Sequence, residues 1–330
     1  MAKKQKKRMR AWAKTWIILL VVSIFCGAAG GVFLIKKSDE FANEHLLDNL
    51  DPGGVVNILL LGTDGGEMRS DTIMLVNING ETGKINVLSI PRDTAIVSRN
   101  SEGKIEYKAN GTPRVNKINA YLGIGKSYVN KGKCDFPEEI MAKKVKEITG
   151  LPIHYYATVN FEGFKEIIDI LGGVDFDVPE DMNYDDPAQD LHIHLKKGQQ
   201  HLNGQKAHDF VRYRKYKNGR ADLARVEAQQ NFIKALVEQK LTASNLAKFD
   251  DIYNQIAKHV RTNYGLDDLM RNLGTIKSIK KDDVTMYMLP NTPKYIDGVS
   301  YVVYNTPEHL EELDEILENF RSEEQKKNDK

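Results

Sequence analysis

Cysteine is nearly absent from the 330-residue chain, which has only Cys26 and Cys134. Cys26 lies in an apolar run and Cys134 in the polar body, so no intramolecular disulfide framework is available and stability rests on packing. Aromatic residues are only 8% of the chain and no repeat of about 20 to 50 residues recurs, which excludes solenoid and propeller readings. Net charge is almost nil at +1, yet it is unevenly placed. Residues 1–14 hold seven bases and no acid, leaving 40 bases against 46 acids, a net of −6, in residues 15–330. A mildly acidic body lacks the positive excess that broad nucleic-acid binding needs, so no nucleic-acid partner is expected. Several catalytic signatures are missing too. The stretch 62–66 (GTDGG) follows a strand but lacks the Lys-Ser/Thr of a nucleotide P-loop, and no Gly-x-Ser-x-Gly elbow occurs. His192, His194, His201 and His208 are close in sequence but not at metalloprotease spacing.

Long apolar runs are scarce, and the single one is informative. Residues 15–35 (TWIILLVVSIFCGAAGGVFLI) carry no charge and as a helix would span ~31 Å, a bilayer's hydrocarbon thickness. The small residues 27–31 could serve a signal peptidase, but the apolar run continues to Ile35, which favours a retained signal anchor. The basic residues 1–14 then form a cytoplasmic tail and everything beyond about Lys36 lies outside the cell membrane. Residues 36–54 are a polar juxtamembrane spacer ending in the breaker Asp51-Pro52-Gly53-Gly54.

The body, 55–320, opens with three short β-branched runs at 55–61, 72–78 and 85–90, and the link 79–84 has hairpin residues. Three strands in a meander are expected. Helical periods follow at 137–149, 161–171, 222–241, 244–260, 266–279 and 307–320, with strand-like pieces at 157–159, 174–178 and 284–289. This order predicts an α/β fold, a central mixed sheet sandwiched between helices, behind one N-terminal transmembrane helix. Residues 321–330 are a charged tail.

The meander brings chemistry together. If strand one ends near Asp64, strand two starts near Asp71 and strand three ends near Pro91, then Asp64, Arg69, Asp71, Arg92 and Asp93 share one edge. Carboxylates that can chelate a hard cation beside forked guanidiniums describe either a Mg²⁺-pyrophosphate site or a surface ion-pair cluster. A second cluster favours the former. In 210–214 (FVRYR) an extended backbone would put Arg212 and Arg214 on one face. Asp222 reads as an N-cap, which stacks Arg225 and Gln229 on a face that continues as Phe232 and Leu236. Such a helix aims donors and its positive end at an anion.

The strings NILLLGTD (57–64), RSDTIMLV (69–76), VLSIPRDT (87–94), KIN (117–119), YYATVNFEGF (155–164), ILGGVDFDVP (170–179), LKKGQQHLNGQKA (195–207), VRYR (211–214) and DLARVEAQQ (222–230) resemble the LytR-CpsA-Psr family of bacterial envelope proteins. The resemblance implies a membrane-anchored phosphotransferase with its catalytic domain on the wall side. Its partners would be a glycopolymer, a wall teichoic acid or capsular polysaccharide, on undecaprenyl pyrophosphate and the C6 hydroxyl of N-acetylmuramic acid in peptidoglycan. It also implies that Asp64 and Asp71 hold Mg²⁺, with Mn²⁺ an alternative, and that Arg69, Arg92, Arg212, Arg214, Arg225 and Gln229 bind pyrophosphate. Asp71, Arg92 and Asp93 are the expected catalytic residues, with Asp71 or Asp93 accepting the hydroxyl proton. In one departure from the family, residues 220–225 (RADLAR) lack the glycines that usually precede the Gln-bearing helix. Rival readings are a lipid-pyrophosphate hydrolase at the same site, a regulator or attenuator, and a non-catalytic anchor. A regulator that reads DNA would need more than a 14-residue cytoplasmic tail.

Overall fold

Strands buried on both faces read as near-continuous apolar runs rather than alternating ones, and the first two strands of this chain do so, each interrupted by an asparagine. In the computed structural model β1 (Val55–Thr63), β2 (Ser70–Asn79) and β3 (Ile85–Ser89) form the expected antiparallel meander, with Ile58 opposite Val76 and Val76 opposite Val87. The structure describes residues 54–321 apart from 65, 67, 81, 101–103, 188–190, 217–220, 241–254 and 264–283. The basic tail, the expected membrane span, almost all of the spacer, the helix at 266–279, most of that at 244–260 and nearly all of the C-terminal tail lie outside these residues. Among the described residues no helix is long and apolar enough to cross a membrane.

After β3 come β4 (Ala95–Val97), β5 (Val115–Lys117), α1 (Tyr121–Val129), α2 (Glu138–Thr149), β6 (Tyr155–Asn160) and α3 (Phe161–Ile170). They are followed by β7 (Val174–Val178), β8 (Met182–Asp186), β9 (Leu191–Leu195), β10 (Gly198–Leu202), α4 (Gly204–Arg212) and α5 (Ala221–Lys240). The order closes with β11 (Val260–Thr262), β12 (Val284–Met288), β13 (Thr292–Ile296), β14 (Val299–Val303) and α6 (Pro307–Leu317). The central six-stranded sheet runs β11-β6-β1-β2-β3-β12. It is mixed: β6 lies parallel to β1 and β12 parallel to β3, while the remaining pairs are antiparallel.

Alternate residues of β1 and β2 feed two cores. Ile58, Leu60, Met74 and Val76 pack on one face with Ile167, Phe210, Phe232 and Leu236 from α3, α4 and α5. Leu59, Leu61, Ile73 and Leu75 pack on the other with Leu122, Met141, Val145 and Leu313 from α1, α2 and α6. This is the expected sandwich of a mixed sheet between helix layers. Two expectations change in detail. Val260, placed by periodicity at the end of a helix, begins β11, where it pairs with Val159. Residues 210–212, expected to be extended, are the end of α4, and the chain turns extended only at Tyr213.

Three asparagines cross the middle of the sheet. Asn57, Asn77 and Asn86 are buried neighbours on β1, β2 and β3. Asn77 donates to Asn57 Oδ1 (2.8 Å) and to the Phe320 carbonyl (2.8 Å), and Asn86 donates to Asn77 Oδ1 (3.3 Å) and to the Asn319 carbonyl (2.7 Å). Buried amides need such partners, and here they tie the turn after α6 to the sheet.

The helix layer beside the β1–β2 turn is held by a close backbone approach. A Cβ on Gly125 of α1 would lie 2.1 Å from the Pro137 carbonyl oxygen, ahead of α2. Gly125→Ala must therefore push α1 and α2 apart and is expected to cost about 3 kcal/mol, near the upper end of overpacking costs. The shift of the urea midpoint against wild type measures it.

Candidate functional site

The irregular edge of the sheet lies where β1 ends and β2 begins. Gly62 pairs with Thr72 but Thr63 pairs with Ser70, so Asp71 is the extra residue of a β-bulge, a device that re-aims a side chain. The bulge requires glycine at 62, where a Cβ would come within 2.9 Å of Thr72 Cβ. The Ser70 hydroxyl, donating to the Gly62 carbonyl at 3.2 Å, braces it.

Asp71 is gripped from behind by Arg92, which follows β3, with Nη1 donating to Oδ1 at 2.5 Å. From α5 the Arg225 guanidinium, only 1% exposed, donates to the Asp71 carbonyl at 3.4 Å. Burial alone would raise the Asp71 pKa, but Arg92, then Arg225 and Arg214, outweigh it and hold the carboxyl below its ordinary value. It is a standing anion among arginines.

These groups open onto a cavity of about 750 Å³, its mouth included. Asp71, Arg212, Arg214, Arg225 and Gln229 line it with polar groups, while Val159, Phe161, Phe164, Phe232 and Ile233 give it an apolar wall. Arg212, the last residue of α4, lies over the Phe161 ring at 4.5 Å, which fixes its planar head by cation–π attraction. Burial, the largest influence, draws the Arg212 pKa down, and Asp71 opposes the shift. Gln229 donates to the Val211 carbonyl at 3.2 Å and so clamps α5 to the end of α4.

The helices that carry these groups have local reasons to start where they do. Asn160 caps α3 by accepting from Gly163 at 2.8 Å, and Asn203 caps α4 by accepting from Lys206 at 3.0 Å. A Cβ on Gly204 would sit 2.2 Å from the Lys165 carbonyl oxygen, so only glycine lets α4 begin against α3. Asp222 is already in the first turn of α5, which begins two residues earlier than an Asp222 cap would have it.

Of the residues singled out from sequence, Asp71, Arg212, Arg214, Arg225 and Gln229 meet at the cavity, with Arg92 bound to Asp71. Asp64 is half-buried at the end of β1 and accepts from the Met68 amide at 3.1 Å, while Arg69 is exposed on the turn. Neither is among the residues lining the cavity. Asp93 faces Lys117 at 3.0 Å and Arg92 Nε at 3.9 Å, also away from that lining. His192 and His194 share an exposed face of the β8–β9 hairpin around Asp185. Among the described residues no three or more His, Cys, Asp or Glu are grouped to hold a metal ion by themselves. Sequence reasoning passed over His208 as a cavity residue. Its signal was the i, i+4 spacing to Arg212, visible only once 204–212 is recognised as a helix.

A family model described as the LytR_cpsA_psr family matches residues 34–319. Among curated relatives, a TagU of Bacillus cereus, a polyisoprenyl-teichoic acid–peptidoglycan teichoic acid transferase, is 32% identical over 311 residues, 90% of this chain and 92% of that protein. The transferase TagV of Bacillus subtilis is 31% identical over 255 residues; the match covers 73% of this chain and 60% of that protein's own length. The crystal structure of B. subtilis TagV superposes with a TM-score of 0.61 at 28% identity, covering 81% of this chain and 98% of the other. A structure of TagT bound to LI-WTA has the same fold at 24% identity, with a TM-score of 0.57 and coverage of 83% of this chain and 94% of that one.

Proposed function

The chain belongs to the LytR-CpsA-Psr family, and from that premise we propose that it moves an anionic glycopolymer from a polyprenyl pyrophosphate carrier to the C6 hydroxyl of peptidoglycan N-acetylmuramic acid. As an enzyme it is a glycopolymer–peptidoglycan transferase, the activity for which its relatives are named. The observation that carries the reading is the two-part cavity, in which arginines and an amide adjoin a wall of phenylalanines. A pyrophosphate on a long hydrocarbon has that same division of polarity.

The residues then take definite parts. Arg212, Arg214 and Arg225 bind phosphate oxygens and neutralise charge that would repel an incoming hydroxyl. The hydroxyl oxygen bonds to the glycan-side phosphorus and gives its proton to Asp71, the bridging P–O bond breaks, and prenyl phosphate departs with the electron pair in a loose transition state. Arg92 keeps Asp71 ionised and in place. The phenylalanines hold the first isoprene units and keep water from the leaving group.

Asp71 in the cavity lining and Asp64 beyond it at the same strand edge would be the two carboxylates for Mg²⁺, which fits a cation bound jointly by protein and substrate phosphates better than an all-protein cage. When bound there, the cation would neutralise phosphate charge. We expect a chelator to lower turnover about a hundredfold or more and added Mg²⁺ or Mn²⁺ to restore it, as measured by product formation in metal-buffered assays.

The anchor at 15–35 places this chemistry on the wall side of the membrane, with residues 1–14 in the cytoplasm. The decisive experiment gives the full chain a lipid-pyrophosphate-linked saccharide and a muramic-acid acceptor, and reads products by mass spectrometry. A glycan-phosphate-acceptor adduct is expected. Free phosphorylated saccharide with a competent acceptor present would mean a hydrolase instead.

A further inference from the structure

His208 has no part in the chemistry above, yet it lies in the wall of the same cavity, 6% exposed. Its ring packs edge-to-face with that of Phe161, centroids 5.0 Å apart at 70°, and the face of that phenylalanine carries Arg212 at 4.5 Å. His208 and Arg212 are four residues apart on α4, so they stand on one helix face about 6 Å apart along the axis. One ring nitrogen is accounted for. Nδ1 lies 3.4 Å from Asp209 Oδ1, a long contact because Gln205 already donates to that oxygen at 2.7 Å. The other, Nε2, is buried without a hydrogen-bond partner among the described residues. A polar atom left so is costly unless something else satisfies it, and the residue that carries it is part of the cavity lining.

The position indicates what that partner is. Arg225 and Arg212 hold the pyrophosphate end, Phe164 and Phe232 the hydrocarbon, and His208 stands one helical turn from Arg212 beside Phe161. The part of the ligand between the arginines and the phenylalanines is the phosphate esterified to the prenyl chain. We infer that His208 donates from Nε2 to an oxygen of this prenyl-linked phosphate, so that the chain selects a phosphorylated prenyl carrier by a contact separate from its arginine cluster. Asp209 Oδ1 accepts from Nδ1–H, so Nε2 donates when the ring takes up a second proton on binding the phosphate anion beside it. The contact would also steady charge on prenyl phosphate as it leaves. The inference rests on the reading of the cavity as a prenyl pyrophosphate site.

The test uses the full chain in lipid nanodiscs, with geranylgeranyl pyrophosphate and the uncharged alcohol geranylgeraniol as probes. His208→Leu, close in volume, is expected to weaken the pyrophosphate about tenfold or more and leave the alcohol unchanged, while His208→Gln, which keeps an N–H donor, should lie within about threefold of wild type. In ¹⁵N spectra of the imidazoles, one resonance absent from His208→Gln should shift with the pyrophosphate and not with the alcohol. Unchanged pyrophosphate affinity in His208→Leu, or equal weakening of both probes, would overturn the inference alone. A wild-type chain that binds neither probe would overturn it together with the reading of the cavity.

Discussion

Asp71→Asn should lower turnover about a thousandfold while prenyl pyrophosphate binds as tightly as before or tighter. Asparagine keeps the shape of the side chain and removes a negative charge that acts on Arg92, Arg212, Arg214 and Arg225 together. The cluster then attracts a dianion more strongly. What is lost is a carboxylate for the cation, so chemistry falls while affinity does not. Single-turnover rates beside equilibrium binding separate the two, and turnover within about threefold of wild type would remove Asp71 from the mechanism. The pH dependence has a definite sign. Because the folded carboxyl titrates below its ordinary value, the Asp71–Arg92 pair adds stability that is complete above the unfolded carboxylate value of about 3.9. That stability is lost as pH falls through the lower folded value, so Asp71 places no acid limb on activity in the neutral range.

Arg225→Met should show the opposite division, with binding weakened about a hundredfold and turnover following it down. Arg225 is 1% exposed, so its charge is screened by neither water nor salt, and its amino group holds the backbone of the bulge. Methionine fills much of the volume and brings no charge, and Asp71 keeps Arg92 as its partner. Stability should therefore fall by no more than about 2 kcal/mol, well below the loss from stranding a buried ion. Calorimetric titration with a prenyl pyrophosphate, alongside a thermal melt, measures both. Affinity within a factor of about three of wild type would place the pyrophosphate elsewhere.

Much of this site is legible before folding because the strand edge is written locally. The runs at 55–61 and 72–78 are apolar apart from Asn57, Thr72 and Asn77 since both sheet faces are covered, and the residues next to them in sequence must gather at one end. Arg212 and Arg214 converge as expected, but for another reason. A helix ends between them, and its last residue Arg212 and then Arg214, just past the extended Tyr213, both line the cavity. The sequence GQKAHDFVR has few apolar positions to mark a helix, and the Gly204–Lys165 approach that fixes it is tertiary. α1 hides similarly, since YLGIGKSYV contains two glycines whose purpose, closeness to Met68 and Pro137, appears only in three dimensions. The hairpins β8–β9 and β13–β14 escape because their outer faces are polar and their pairing local to the surface. The bulge at Asp71 has no signature beyond Gly62, and Gly62 alone has many readings.

The asparagine ladder bears on when the protein becomes whole. The partners that complete Asn77 and Asn86 lie 243 and 233 residues further along the chain. β1, β2 and β3 are adjacent in sequence and can pair early, but until residues 319 and 320 arrive one N–H of each amide lacks its protein acceptor, at about 1–3 kcal/mol each where no water replaces it. A nascent or clipped chain thus carries its own mark of incompleteness. The sheet that positions the arginines is completed only when residues 319 and 320 dock on it, so a chain cut before Asn319 is expected to open more readily to proteases.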